Sequence, residues 1–68
     1  MYTKSYQSTV EFLSEQAPNI EHSPGKFIQW AEALAELLSF IYCKEYEDVT
    51  TDITDAAKEQ QGYEDSSN

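Results

Sequence analysis

Residues 24–46 read PGKFIQWAEALAELLSFIYCKEY, and this stretch decides the fold. Within it, apolar side chains recur at alternating intervals of four and three residues, which is the spacing of one face of an α-helix. The residues that set this rhythm are Phe27, Ala31, Leu34, Leu38 and Ile41. The pattern predicts one long helix, placed at the centre of a small all-α protein.

The predicted helix is apolar around most of its circumference. Its polar side chains form only a narrow stripe, and a helix of this kind is normally surrounded by other elements. Two short neighbours would leave part of it uncovered, so we expect a homodimer or a partner that covers the remainder. The residues assigned to this core and oligomer surface are Phe27, Trp30, Leu34, Leu37, Leu38 and Ile41.

The ends of this helix are marked unequally. Ser23 and Pro24 fit an N-cap followed by proline at the first helical position. At the other end, no proline or glycine occurs between Gly25 and Gly62. Residues 24–61 could therefore form one continuous helix, or two helices that meet near Glu47 and Asp48. We favour two, with Asp48 as the cap of a third helix that ends at Gly62.

Residues 4–16 fit two patterns. Tyr6, Val10 and Leu13 follow helical spacing, and Ser8 with Glu11 could form a capping box. Apolar residues also alternate with polar ones, as in a strand. A lone strand would have no partner in so short a chain, so we favour helix. We thus predict a three-helix domain over residues 1–62 and a disordered acidic tail over 63–68; the alternative is a hairpin plus one long helix.

Charge limits the classes of partner. The chain has 68 residues and a formal net charge of −9, with four lysines and no arginine. Residues 45–68 contain eight acids and one lysine. Such a balance argues against direct binding to nucleic acid or to anionic membranes, and it favours a basic protein surface. The longest apolar stretch is short and contains acids, so we expect no membrane span. One cysteine and no signal peptide favour a cytoplasmic location.

Part of the acidic charge falls into a regular row. Five acids are spaced three, four, three and four residues apart, so they would share one face of a helix. The row consists of Glu45, Asp48, Asp52, Asp55 and Glu59. It fits an ordinary solvated helix face, and it also fits a mimic of the DNA backbone that occupies a basic groove. Tyr42 and Tyr46 flank the row and are further candidates for partner contact.

No residue cluster in the sequence amounts to an active site. His22 lies beside a serine, but no third residue completes a catalytic triad. Cys43 falls among apolar residues of the predicted helix, where an inert side chain is expected. Too few soft ligands are present for zinc, and the calcium-loop pattern is absent. We therefore expect no enzyme activity, no cofactor and no metal.

In size and acidity the chain resembles small proteins that phages and mobile elements use to block host nucleic-acid enzymes. The resemblance is one of composition and assigns no residue. It agrees with an acidic inhibitor or modulator that binds a basic, nucleic-acid-binding protein. The alternative function is a structural or assembly protein that oligomerises or docks through its apolar helix.

Overall fold

A computed structural model describes residues 5–63 of the chain. It contains three α-helices: α1 spans Tyr6–Ser14, α2 spans Pro24–Ile41 and α3 spans Tyr46–Gln61. Throughout this described part the regular structure is helical, so the all-α prediction is confirmed and residues 6–14 are helix rather than strand. Of the predicted tail, only Tyr63 lies within the described residues.

The third helix lies between the other two. Both α1 and α2 contact α3, whereas no Cα atom of α1 approaches one of α2 within 8 Å. The long apolar helix that we expected at the centre therefore lies on one side of the molecule. The physical reason is that α3 carries Val49, Ile53 and Ala57 one turn apart, and all three are fully buried.

The break between α2 and α3 comes earlier than predicted. α2 ends at Ile41, and Cys43 adopts a left-handed conformation with φ of 55°. The Lys44 N–H then donates to the Ser39 carbonyl at 3.0 Å, which is the longer hydrogen bond of a helix-ending Schellman turn. Asp48 consequently lies in the first turn of α3, and Glu45 holds the cap position without a side-chain hydrogen bond. A turn without glycine gave no signal in the sequence.

Ser5, not Ser8, caps the first helix. The Ser5 hydroxyl oxygen accepts from the Ser8 N–H at 3.2 Å, so the predicted capping box of Ser8 and Glu11 is wrong. Ser14, the last residue of α1, is almost fully buried, and its hydroxyl donates to the Glu11 carbonyl at 2.7 Å. That hydrogen bond removes the cost of burying an unpaired hydroxyl. The α1 boundary is therefore fixed by local polar contacts.

The core joins all three helices and is built partly from small side chains. Its buried apolar residues are Val10, Phe27, Ala31, Ala35, Leu38, Val49, Ile53 and Ala57. Of the six residues that we assigned to the core and oligomer surface, Phe27 and Leu38 are buried, and Trp30 and Leu34 pack at its edge. Leu37 and Ile41 are exposed, so they do not belong to the core of a single chain.

The end of α3 is closed by its own backbone and holds the loop between α1 and α2. Gly62 has a φ of 69°, and its N–H donates to the Glu59 carbonyl at 3.2 Å, as predicted for a glycine C-cap. The Gln61 side-chain amide donates to the Pro18 carbonyl at 2.7 Å and accepts from the Ile20 N–H at 2.9 Å. This pair of hydrogen bonds ties the loop to α3.

Candidate functional site

The acidic row predicted from the sequence lies on the outside of α3. Asp48 and Asp52 are exposed, whereas Val49 and Ile53 beside them in sequence are buried. The full row of exposed carboxylates is Glu45, Asp48, Asp52, Asp55 and Glu59. Four of these residues belong to α3, and the fifth, Glu45, holds the cap position immediately before it. The four carboxylates within α3 therefore share one helix face, whereas Glu45 has an extended backbone and lies outside the helix that aligns them.

A cleft runs along the acidic row, between α1 and α3. It has a volume of about 240 Å³ and a mixed lining, in which Val10 and Ala56 are apolar. Its lining residues are Tyr6, Gln7, Val10, Glu11, Asp52, Asp55, Ala56 and Glu59. Glu11 thus joins three acids of α3 around one opening. Glu11 could not be predicted as a site residue from the sequence, because its approach to α3 depends on tertiary packing.

Tyr6 connects the two sides of this cleft. Its hydroxyl donates to Asp52 Oδ2 at 2.7 Å. Desolvation raises the pKa of the Tyr6 hydroxyl, and the hydrogen bond to Asp52 and the negative charges of Asp52 and Asp48 raise it further. The raised pKa extends to more alkaline pH the range in which the Tyr6 phenol stays protonated and donates this hydrogen bond. The Lys44 ammonium lies 4.6 Å from the centre of the Tyr6 ring.

The two tyrosines predicted to contact a partner have different environments. Tyr42 is half-buried, and its ring packs edge to face on Tyr6 with 5.3 Å between centroids. Its hydroxyl also shares a 2.9 Å hydrogen bond with the Thr9 hydroxyl. Tyr46, in contrast, is 40% exposed at the start of α3. Tyr42 therefore supports the fold, and Tyr46 remains on the surface at the start of α3.

A second surface feature lies on α2. Leu37, Phe40 and Ile41 are 59%, 85% and 61% exposed. Residues three and four apart on a helix are neighbours, so these three side chains form one patch. Phe40 is the most exposed of them, and it is not among the site residues predicted from the sequence. Its position outside the four-three rhythm was the only available signal.

The residues considered for catalysis are dispersed. Cys43 is exposed in the turn after α2, so the expectation of a cysteine inside an apolar helix is wrong. His22 is exposed in the loop between α1 and α2, where its backbone N–H donates to Asn19 Oδ1 at 2.8 Å. Within residues 5–63, no three histidine, cysteine or acidic side chains are grouped so that they could hold a metal ion.

The helices of that same range are all too short or too polar to cross a membrane.

Comparisons with protein families, with curated proteins and with solved structures found no match for this chain. Two surfaces of the molecule are therefore the candidates for function. One is the acidic row with its cleft, and the other is the apolar patch on α2.

Proposed function

We propose that this protein is a non-enzymatic inhibitor or modulator that binds a basic surface of another protein through the acidic row of α3. The observation that carries the proposal is that all five carboxylates of the row are exposed and that the four within α3 share one helix face. In its sharpest form, the row imitates a DNA strand and blocks the groove of a nucleic-acid-binding protein. Opposite charge would also accelerate association.

The charge density of the row supports this form of the proposal. From Asp48 to Glu59, α3 advances about 16 Å at roughly 1.5 Å per residue. The four carboxylates of the row within that length are separated by about 5–6 Å on average. A single DNA strand carries roughly one charge per 3.4 Å of helix axis. A groove shaped to neutralise one strand would therefore meet on α3 somewhat more than half the charge density of that strand.

The cleft between α1 and α3 suggests how a basic side chain would be held. Lysine and arginine lay their aliphatic stems on apolar surface while the charged head stays in contact with polar groups. Val10 and Ala56 supply apolar surface in the cleft, and Glu11, Asp55 and Glu59 surround it with carboxylates. A lysine or arginine of the partner fits this combination. A phosphate or another anion does not, because the carboxylates would repel it.

The proposal is tested with two variants that change charge equally. The first replaces acids of the row: Asp52→Asn, Asp55→Asn and Glu59→Gln. The control replaces three exposed acids outside α3: Glu21→Gln, Glu32→Gln and Glu36→Gln. Both raise the formal net charge from −9 to −6. Asparagine at position 52 can still accept the Tyr6 hydrogen bond, so we expect both variants to fold.

Wild type and both variants are then used as baits for affinity capture from the native host, at low and at high salt. We expect wild type and the control to retain a basic nucleic-acid-binding protein at low salt and to lose it as salt rises. The row variant should bind it at least about tenfold more weakly, a difference near 1.4 kcal/mol. Added wild-type protein should also displace nucleic acid from the captured protein. If the two variants lost binding equally, net charge alone would explain the loss. That result would refute the assignment of the binding surface to α3.

The second candidate function is a structural or assembly role through α2. The specific observation is the 85% exposure of Phe40, next to Leu37 and Ile41. Contiguous apolar patches on small proteins are often interaction sites. In this case the acidic row would serve solubility alone, and the row variant would show full biological effect.

A further inference from the structure

The exposed apolar residues of α2 continue into a longer stripe. Ala33 lies four residues before Leu37, so it belongs to the same helix face and is also exposed. Lys26 lies seven residues before Ala33, again on that face. No acid lies within the stripe, although Glu36 borders it next to Phe40. On a chain with a net charge of −9, two copies that meet through this face should repel each other less than two copies that meet through the acidic row.

We infer that this α2 stripe, consisting of Ala33, Leu37, Phe40 and Ile41, binds the same stripe of a second copy of the chain. A two-fold axis brings identical surfaces together, so each apolar side chain meets another apolar side chain. The basic partner proposed for α3 would not satisfy this face, because its charged groups would lose water without finding an acid within the stripe.

The exposed area is close to what a dimer requires. Phe40 exposes 85% of a side chain, and an aromatic side chain offers roughly 200 Å². With Leu37 and Ile41 the patch reaches roughly 400 Å² per copy. Two such patches, together with the atoms that surround each of them, would bury a total surface of about 1,000 Å², which is near the lower limit for specific interfaces. We therefore expect a reversible dimer with a dissociation constant on the order of micromolar to about 100 µM.

Dimerisation would change how the acidic row acts. Each dimer would carry two acidic rows, and a partner with two basic sites would be held more tightly by the effective concentration of the second row. This consequence rests on the proposed function of α3. The dimer itself does not, since it depends only on α2.

Sedimentation equilibrium of the whole chain tests the inference, with Ile28→Gln as a matched control. Ile28 is 54% exposed, nearly the same as the 59% of Leu37. The two residues are nine positions apart, which places them on opposite sides of α2. Leu37→Gln and Phe40→Gln should each weaken dimerisation at least about tenfold, whereas Ile28→Gln should leave it unchanged. Circular dichroism of each variant checks that the helices remain folded.

Salt separates this inference from the proposal for α3. Bringing two acidic chains together is opposed by repulsion, including that between the Glu36 carboxylates beside the stripe. Screening should therefore leave dimerisation unchanged or strengthen it, whereas binding of a basic protein to α3 should weaken. A wild-type chain that stays monomeric up to about 1 mM, where even a weak complex is populated, would overturn the inference. So would equal weakening by Ile28→Gln and Leu37→Gln.

Discussion

The two long helices use their apolar residues in different ways. α3 is the more polar sequence, yet it is the helix that both others contact, and its Val49 and Ile53 are completely buried. α2 is the more apolar sequence, yet it lies on one side of α3. It turns the small residues Ala31 and Ala35 inward and leaves Phe40 85% exposed. Total hydrophobicity therefore does not decide which helix becomes the middle one.

The placement of small and branched side chains explains the difference. Ala35 is fully buried in the cluster that also contains Val49 and Ile53, so α2 packs on α3 through a face that includes small alanine side chains. Packing this close stabilises the fold only where the two surfaces are complementary in shape, because protein interiors are about as dense as organic crystals. Phe27 and Leu38 of α2 are buried as well, whereas Leu37, Phe40 and Ile41 remain outside and are available for another molecule.

The largest predicted effect contrasts two aliphatic side chains on the two helices. Ile53→Ala removes a fully buried side chain and should lower the free energy of unfolding by about 2–5 kcal/mol. Leu37→Ala removes an exposed side chain and should change it by less than about 0.5 kcal/mol. Urea denaturation at a protein concentration well below the dimer dissociation constant, where dimerisation contributes little, measures both.

A domain of this length is stabilised by only about 3–10 kcal/mol in total. Ile53→Ala should therefore remove a large fraction of the stability, and its unfolding midpoint should fall accordingly. If Leu37→Ala were as damaging as Ile53→Ala, α2 would bury both of its faces within one chain. The contrast between the helices, and with it the argument for a second copy, would then be wrong.

A smaller effect is expected from enlarging the alanines of α2. Ala35→Leu forces a larger side chain into a fully buried position and should cost about 1–3 kcal/mol. Ala33→Leu, two residues earlier and exposed, should be within about 0.5 kcal/mol of wild type. Thermal unfolding followed by circular dichroism compares the two. A tolerated Ala35→Leu would show that α2 is not closely packed on α3.

The sequence predicted the helices well because their signals are local. The four-three rhythm of α2, proline at Pro24 and the glycine cap at Gly62 each depend on residues within one or two turns. The order of helices in space was not predictable in the same way. It depends on which face of α2 meets α3, and the rhythm counted Ile41 with the core although it is 61% exposed.

The candidate site was predicted in part, for the same reason. Periodicity alone placed Asp52 and Asp55 on one face, and both are exposed along α3. Periodicity could not show that Tyr6 would reach Asp52, nor that Glu11 would line the same cleft, because both contacts join residues more than forty positions apart. Such contacts follow from the packing of α1 on α3.

The joint between the two helices gives the smallest predicted effect, and it is a gain. Cys43 has a φ of 55°, and a residue with a Cβ atom in this region carries a cost of roughly 1–2 kcal/mol that glycine avoids. Cys43→Gly should raise the free energy of unfolding by about 0.5–1 kcal/mol, since glycine also gains freedom in the unfolded chain. The melting temperature should rise by several degrees, at about 4–8 °C per kcal/mol.

Cys43→Ser is the control for this joint, because it removes the thiol and retains the Cβ atom. Serine should leave the melting temperature near that of wild type, and only glycine should raise it. If glycine destabilised the protein, the side chain of Cys43 would contribute contacts that outweigh the backbone cost. If both variants gained equally, the thiol rather than the left-handed conformation would be the source of the cost. A gain restricted to glycine would show that the left-handed backbone at position 43, which separates α2 from α3, costs free energy when the residue is cysteine.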